Sequence, residues 1–537
     1  MGWTLNTRRV TLCAALLVLL ILGVAPIALM FARSLSVNGA FSLESYQHLL
    51  ATGRSWQLLS NSLGLAMITA VICTLVGLPL GLLFAKTDLP LRRVFVLLFT
   101  LPLVIPPYIM AVSWSDTLAP HGLASSFFGP ATTQKLLGLL FGSPGCVLVL
   151  ASTFMPAVML ATMTFTRTIN PRLEEAARLS ARALRVLGGI TIPLIWPGVL
   201  LAATLVFLLA LGEFGVPTFL RYQVFAVESF TQFTASYNFG AATAAAVPLA
   251  LLTFLLLGIE WFALREKIQA LRPASESDSN YHVSLRSYRV PLFALVSILC
   301  AIVVLTPVLS LLLQGGSTQS YLRAFRVVSD SLMRSIFLAA IGATALTALG
   351  FFTGYLIHTR GLSIWRAVDA GTVLLFALPG TVIGMGLITL WNRPATNFIY
   401  ATPLIIVFGY LAQYTALTGR VTVAGLTLVP ASMEEAAATV GANWMRRLGL
   451  IVLPLVKHAL VAGWLIGYIF CLRDTGIAML VYPPGYDTLP VRIFTLMANG
   501  APSLIAAACM LMIAATVLPL LGVAALVRTQ RRRRLWR

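Results

Sequence analysis

The side chains able to do chemistry in this chain are mainly carboxylates, and they occur in two settings. One is polar: Glu174-Glu175-Ala176-Ala177, with Ala181 beyond it, and Glu434-Glu435-Ala436-Ala437, with Gly441 beyond it. Paired glutamates followed by small residues offer contact chemistry, because a short helix of that composition fits a groove on a partner; the plainer reading is a loop helix lying flat at the lipid interface. The other setting is apolar: Gly212-Glu213-Phe214-Gly215 ends one hydrophobic run and Arg473-Asp474-Thr475-Gly476 ends another. Ionisable groups inside a membrane are costly and face a cavity or a partner. Glu213 and Asp474, with Phe214, Gly215 and Gly476 beside them, are therefore candidate wall residues of a path for a cationic or metal cargo. The plainer reading is local, with Asp474 paired to Arg473 and Glu213 reaching an outer interface.

Catalysis finds little support. His48, His121, His282, His358 and His458 are scattered, and no paired-carboxylate or Ser/His arrangement accompanies them. The six cysteines lie in or beside apolar runs without metal-ligand or disulfide-framework spacing, which reads as core packing. No Gly-x-x-x-x-Gly-Lys-Ser/Thr phosphate loop is present, so the chain does not hydrolyse ATP by that route.

The elements that must position the carboxylates are membrane spans. The chain is 59% hydrophobic and 10% charged, against about 25% charged for a soluble domain, and its mean hydropathy is +0.91. A crossing helix needs roughly 20 apolar residues. Twelve runs qualify, near 10–31, 60–85, 94–115, 146–166, 196–217 and 241–263, then 290–313, 335–357, 367–391, 400–420, 459–480 and 502–527. The first is too long for a signal-peptide core and lacks a clean cleavage site, so it reads as an uncleaved span. Of the 37 Lys and Arg residues, 27 fall in alternate loops. The positive-inside rule assigns those loops, both termini and both glutamate islands to the cytoplasm. It also accounts for the net charge of +20 without a nucleic-acid partner.

The two halves repeat. Ser62, Gly77 and Gly81 match Ser335, Gly350 and Gly354 at a spacing of 273, and Leu101-Pro102 and Trp114 match Leu378-Pro379 and Trp391 at 277. Glu175 matches Glu435 at 260, and Glu213 and Gly215 match Asp474 and Gly476 at 261. This gives a first six-span repeat over 1–264 with a cytoplasmic loop at 167–195, and a second over 290–537 with its loop at 421–458. A polar linker over 265–289 joins them. Six spans per half make the repeats parallel, with a pseudo-two-fold axis along the membrane normal. Pro102, Pro106 and Pro107 interrupt the third span and Pro379-Gly380 the ninth; such breaks suit a cavity lining or a packing kink. Tyr482-Pro483-Pro484-Gly485-Tyr486-Asp487 reads as a rigid external loop, and the tail from Arg528 to Arg537 as an anchor to anionic lipid.

Each island reads as a helix. Asn170 before Pro171 is an N-cap followed by an N1 proline, and Ser432 stands three before Glu435 at capping-box spacing. Ala437, Val440, Trp444 and Leu448 share one face at helical spacing, as do Ala177, Ala181, Leu184 and Gly188. At these residues the sequence resembles the permeases of binding-protein-dependent ABC importers. Their hallmark is Glu-Ala-Ala, three residues, Gly, nine residues, then Ile-x-Leu-Pro. The second island carries it in full as Glu435-Ala436-Ala437, Gly441, Ile451 and Leu453-Pro454. The first departs from it: Ala181 replaces the glycine, the spacer is one shorter, and Ile192-Pro193 replaces Leu-Pro. The fused twelve-span layout is similar to that of the iron(III)-type permeases.

The resemblance implies an all-α, type I importer-like permease in a bacterial inner membrane, multi-pass, with both islands seated as coupling helices in a dimer of separate ATPase subunits. ATP and Mg would be held by those subunits and no cofactor by this chain. A periplasmic binding protein would deliver the cargo, iron(III) or another small solute. The competing architecture is a secondary, ion-coupled transporter of twelve spans, which would need buried coupling carboxylates in mid-span.

Overall fold

The computed structural model describes residues 2–37, 40–120, 122–235, 239–269 and 283–535. In lipid, backbone polar groups are satisfied within each segment, and the chain is accordingly an all-α membrane protein. Strand pairing among the described residues is confined to Ser36–Val37 with Ala40–Phe41 and a bridge between Thr87 and Val283.

In chain order the main helices begin with α1 (Thr7–Ser34), α2 (Gly53–Lys86), the bent pair α3 (Arg92–Val104) and α4 (Pro107–Leu118), and α5 (Ser143–Thr166). The first island follows as α6 (Pro171–Arg178), then α7 (Ala183–Leu211), α8 (Gly240–Glu260) and α9 (Arg286–Gly315). The second half adds α10 (Thr318–Thr359), the bent pair α11 (Trp365–Ala377) and α12 (Gly380–Trp391), and α13 (Leu404–Leu426). It ends with the second island as α14 (Ala431–Thr439), then α15 (Trp444–Arg473) and α16 (Pro502–Val523). Among the described residues ten helices are long and apolar enough to cross a membrane, or up to twelve if each bent pair is one span. The core of the expected linker, 270–282, lies outside the described residues, as do His121 and His282. The helix before the linker runs on to Gln269. The side chains of Arg528 and of the tail from Gln530 onward, and that of His48, also lie outside them.

The bent pairs correct the repeat alignment. They turn by 104° and 107°, at Ile105-Pro106 and at Leu378-Pro379. Pro106 has φ −55° and ψ 135°, and Pro379 has φ −54° and ψ 138°. Pro379 therefore corresponds to Pro106 at the same spacing of 273 that relates α2 to α10, not to Pro102 at 277. Pro102 lies buried within α3. A repeated Leu-Pro dipeptide drew the sequence alignment four residues out of register.

Proline also explains four wide turns. Residues Leu20–Val24, Leu187–Thr191, Ala301–Leu305 and Leu448–Val452 form π-turns. Pro26, Pro193, Pro307 and Pro454 follow them, each four residues after the centre of its turn. A proline ring clashes with the carbonyl four residues earlier and offers no N–H to it, and the helix accommodates this by widening. The final proline of each island sequence thus shapes the entry of the following span.

The chain packs as two compact units. Unit one comprises Met1–Leu49, Ser229–Ala246 and Tyr321–Arg537; unit two comprises Leu50–Glu228 and Val247–Ser320. Each unit takes its leading helix from the other repeat. In unit one, α1 lies along α12, where a Cβ on Gly386 would stand 3.1 Å from Pro26. In unit two, α9 lies along α4, where the Ser113 hydroxyl donates to the Pro307 carbonyl. Within each unit one helix pair is in near-backbone contact. A Cβ on Gly81 of α2 would stand 2.6 Å from Thr162 of α5, and one on Gly354 of α10 would stand 2.7 Å from the Gly419 carbonyl of α13. Small residues let membrane helices approach closely enough for dispersion to hold them, and Thr418 adds a hydrogen bond to the Leu346 carbonyl at 2.8 Å.

Candidate functional site

In unit two, Asn170 caps α6 by accepting the Arg172 N–H at 3.1 Å, with Pro171 in the first turn. The helix is anchored by its first glutamate. Glu174 is 1% exposed; Lys86 reaches one oxygen at 2.5 Å and Thr191 donates to the other at 2.7 Å. Glu175 and Ala176 face outward and Ala177 is half-buried. Leu173, Leu179 and Leu184 are exposed around them.

In unit one, α14 repeats this plan with different anchors. The Tyr355 hydroxyl donates to Glu434 at 2.9 Å and accepts the Trp444 indole N–H at 3.2 Å. Arg447 stands 3.9 Å from the same carboxylate. Arg8, from α1, lies over the Tyr355 ring at 5.6 Å and donates to Thr359 at 2.8 Å. A cavity of about 410 Å³ borders this cluster, lined by Arg8, Tyr355, His358, Thr359, Glu434 and Arg447 among others. Glu435 and Ala436 face outward and Ala437 is half-buried. Leu428, Met433, Val440 and Met445 are exposed nearby.

Two local expectations are corrected. Ser432 does not cap α14: the helix starts after Pro430 with no side-chain cap, and Ser432 lies exposed inside it. Nor do Ala437, Val440, Trp444 and Leu448 share one helical face. Gly441, at φ +81°, ends the helix in a Schellman turn, its N–H bonding to Ala438 and that of Ala442 to Ala437, each at 3.1 Å. Asn443 then caps a new helix by accepting the Arg446 N–H at 2.9 Å. Val440 is 83% exposed while Trp444 is 1% exposed. The first island breaks as well, between Arg178 and Ala183, so Ala177, Ala181, Leu184 and Gly188 do not form a stripe either. There Ala181 closes the helix by donating to the Ala177 carbonyl at 2.9 Å, with no left-handed residue.

The apolar-run carboxylates are helix caps. Glu213 accepts the N–H groups of Gly215 at 3.0 Å and Val216 at 3.4 Å, opening the short helix Gly215–Phe219. Phe214 is buried beside it. Asp474, 6% exposed, accepts the Tyr414 hydroxyl at 2.9 Å on one oxygen and the Ala478 N–H at 2.9 Å on the other, opening Ala478–Val481. The Arg473 guanidinium lies 4.6 Å from the centre of the Phe470 ring. Gly476 packs on the α11–α12 bend, where its Cβ would stand 3.2 Å from Gly380 Cα. At that bend Gln413 donates to the Leu378 carbonyl at 3.0 Å. Among the described residues no group of three His, Cys, Asp or Glu side chains is placed to hold a metal ion.

Sequence reasoning missed the anchors Lys86, Thr191, Tyr355 and Arg8. Lys86 carried a signal: it is the one charged residue in the last thirty of a 34-residue apolar helix.

Two polar helices, each anchored by its first glutamate, thus stand between spans at matched places of the two units. No protein-family model matches the chain. It is 23% identical over 501 residues, 89% of this chain and 72% of the relative, to the ferric transport system permease protein FbpB of Actinobacillus pleuropneumoniae. It is 22% identical over 90% of its length, and 79% of the relative, to a putative ferric transport system permease protein, FbpB 1, of Haemophilus influenzae. Over a shorter stretch, 30% of this chain and 58% of the relative, it is 31% identical to a probable molybdenum ABC transporter permease of Haloferax volcanii. The chain is a fused two-domain permease subunit of the ABC-transporter kind.

Proposed function

We propose that this permease is the membrane subunit of an ATP-driven importer, and that α6 and α14 are its coupling helices, each received by a separate ATPase subunit. One observation carries the reading. At matched places each helix is fixed to its own unit by its first glutamate, and presents its second glutamate and the following alanine outward amid exposed apolar side chains. A helix held from behind and apolar in front is suited to transmit force from a partner.

The charge distribution favours the cytoplasm for these helices and for both termini, with a solute-binding protein on the opposite face. ATP and Mg belong to the ATPase subunits. Iron(III) is the cargo favoured by similarity to the ferric permeases over most of the chain. With one oxygen of Asp474 held by the Tyr414 hydroxyl, its other oxygen and one of Glu213 engaged in capping, these carboxylates are not open iron ligands, and direct coordination would require those bonds to open. The test is uptake by proteoliposomes holding this chain, a separate ABC-type ATPase subunit and a binding protein loaded with radioactive ferric ion. ATP-dependent iron uptake that molybdate does not compete supports both parts; ATP-dependent uptake of molybdate alone would overturn the cargo and leave the coupling intact.

A further inference from the structure

The two coupling helices are anchored by different chemistry, and the difference centres on one position of the repeat. In unit two the last residue of α2 is Lys86, 8% exposed. Both oxygens of its partner Glu174 are engaged, one by Lys86 and one by Thr191. The backbone around the lysine is held as well. Val283 N–H donates to the Lys86 carbonyl at 2.7 Å, and Leu285 N–H to the Asp88 carboxylate at 2.9 Å. In unit one the residue 273 positions later is Thr359, which lines the cavity instead of filling it. Glu434 has a phenol for its close partner, and its side chain is 26% exposed.

These arrangements differ in how they respond to load. Separating a buried ion pair leaves an uncompensated charge in a medium that solvates it poorly. A phenol hydrogen bond beside an open cavity can be replaced by water at little cost.

We propose that Lys86 is a positioning residue for coupling: its ion pair with Glu174 fixes α6 to the end of α2 as a stiff lever, whereas α14, held through Tyr355, is the yielding one. The functional half of this rests on α6 and α14 being the helices that meet the ATPase. The structural half does not, so the experiment separates them.

Hydrogen–deuterium exchange on the full chain in lipid nanodiscs, without ATPase or cargo, reads the anchoring. After correction for intrinsic rates, amides of 171–181 are expected to exchange at least tenfold more slowly than those of 431–442. Lys86→Met should erase that difference, and Lys86→Glu combined with Glu174→Lys should restore it. A second variant does not depend on the first surviving. Thr359→Lys, in an Arg8→Ala background that removes the neighbouring guanidinium, should slow exchange over 431–442 at least threefold relative to Arg8→Ala alone. Equal protection of the two helices in the wild type, or no slowing with Thr359→Lys, overturns the proposal. In the complex with ATPase subunits, Lys86→Met should retain the ATPase but lower the uptake obtained per ATP hydrolysed. An unchanged ratio would overturn the role in coupling, while absence of any bound ATPase on the wild type would overturn the docking reading and leave the exchange result standing.

Discussion

Tyr355 donates its hydroxyl to Glu434 at 2.9 Å, while the adjoining Glu435 is exposed. Neighbouring glutamates of identical chemistry therefore have separate tasks, one turned into the protein and one turned out. Glu435→Lys should abolish ATPase retention and uptake without changing membrane insertion or melting temperature. Tyr355→Phe should behave oppositely, lowering stability by about 1.5–3 kcal/mol for the lost hydrogen bond to a charged group while leaving some ATPase bound. Affinity co-purification and a thermal melt in detergent separate the two. Equal effects in both assays would contradict the division of tasks.

Gly441 holds φ +81° at the end of α14, with nothing within 4 Å of the place a Cβ would occupy. Substitution there is resisted by backbone conformation alone, at about 1–2 kcal/mol for an L-residue in the left-handed region. Gly441→Asp is expected to unwind the last turn of α14 and abolish uptake with insertion intact. Ala181→Gly in the first island should change little, because that helix closes without a left-handed residue. Uptake rates of the two variants check this; a strong effect of Ala181→Gly would show that the islands end alike.

Gly81 and Gly354 meet the opposite constraint, with the neighbouring helix filling the space beside them. Gly81→Val and Gly354→Val should each cost about 1–3 kcal/mol or more through overpacking, seen as a lowered melting temperature and poor membrane yield. Wild-type stability for either would mean that the helix pairs are looser than described.

Asp474→Asn keeps an oxygen able to accept the Ala478 N–H, and its effect distinguishes a cap from a cargo ligand. As a cap, the asparagine variant should retain most uptake, while Asp474→Ala, which leaves a buried donor unpaired, should cost about 1–3 kcal/mol of stability. Loss of uptake in Asp474→Asn at wild-type stability would restore the path-lining role.

The position of the spans follows from apolar run length, a property that lipid imposes on every crossing helix, and so it was readable in advance; the expected twelve are reached only if each bent pair is one span. Asn170 with Pro171 was readable too, because a cap is local in sequence. Besides the local misreadings at Ser432 and at the Gly441 break, what escaped reading was long-range. The partner of Glu174 lies 88 positions away at Lys86, and that of Glu434 lies 79 positions away at Tyr355. Nothing in periodicity links such residues. The exchange of α1 and α9 was hidden for the same reason. The bend register was misread because the dipeptide Leu-Pro recurs at 101–102 and 378–379, while the hinge is set by where the helices stop.

The proposed drive through α6 and α14 comes from separate ATPase subunits. It is tested most directly by uptake into proteoliposomes with and without the ATPase, under ATP depletion and under an uncoupler. Uptake that requires the ATPase and ATP, and that survives the uncoupler, is the predicted result. Uptake by the chain alone, collapsed by the uncoupler, would make it an ion-coupled transporter and contradict the account.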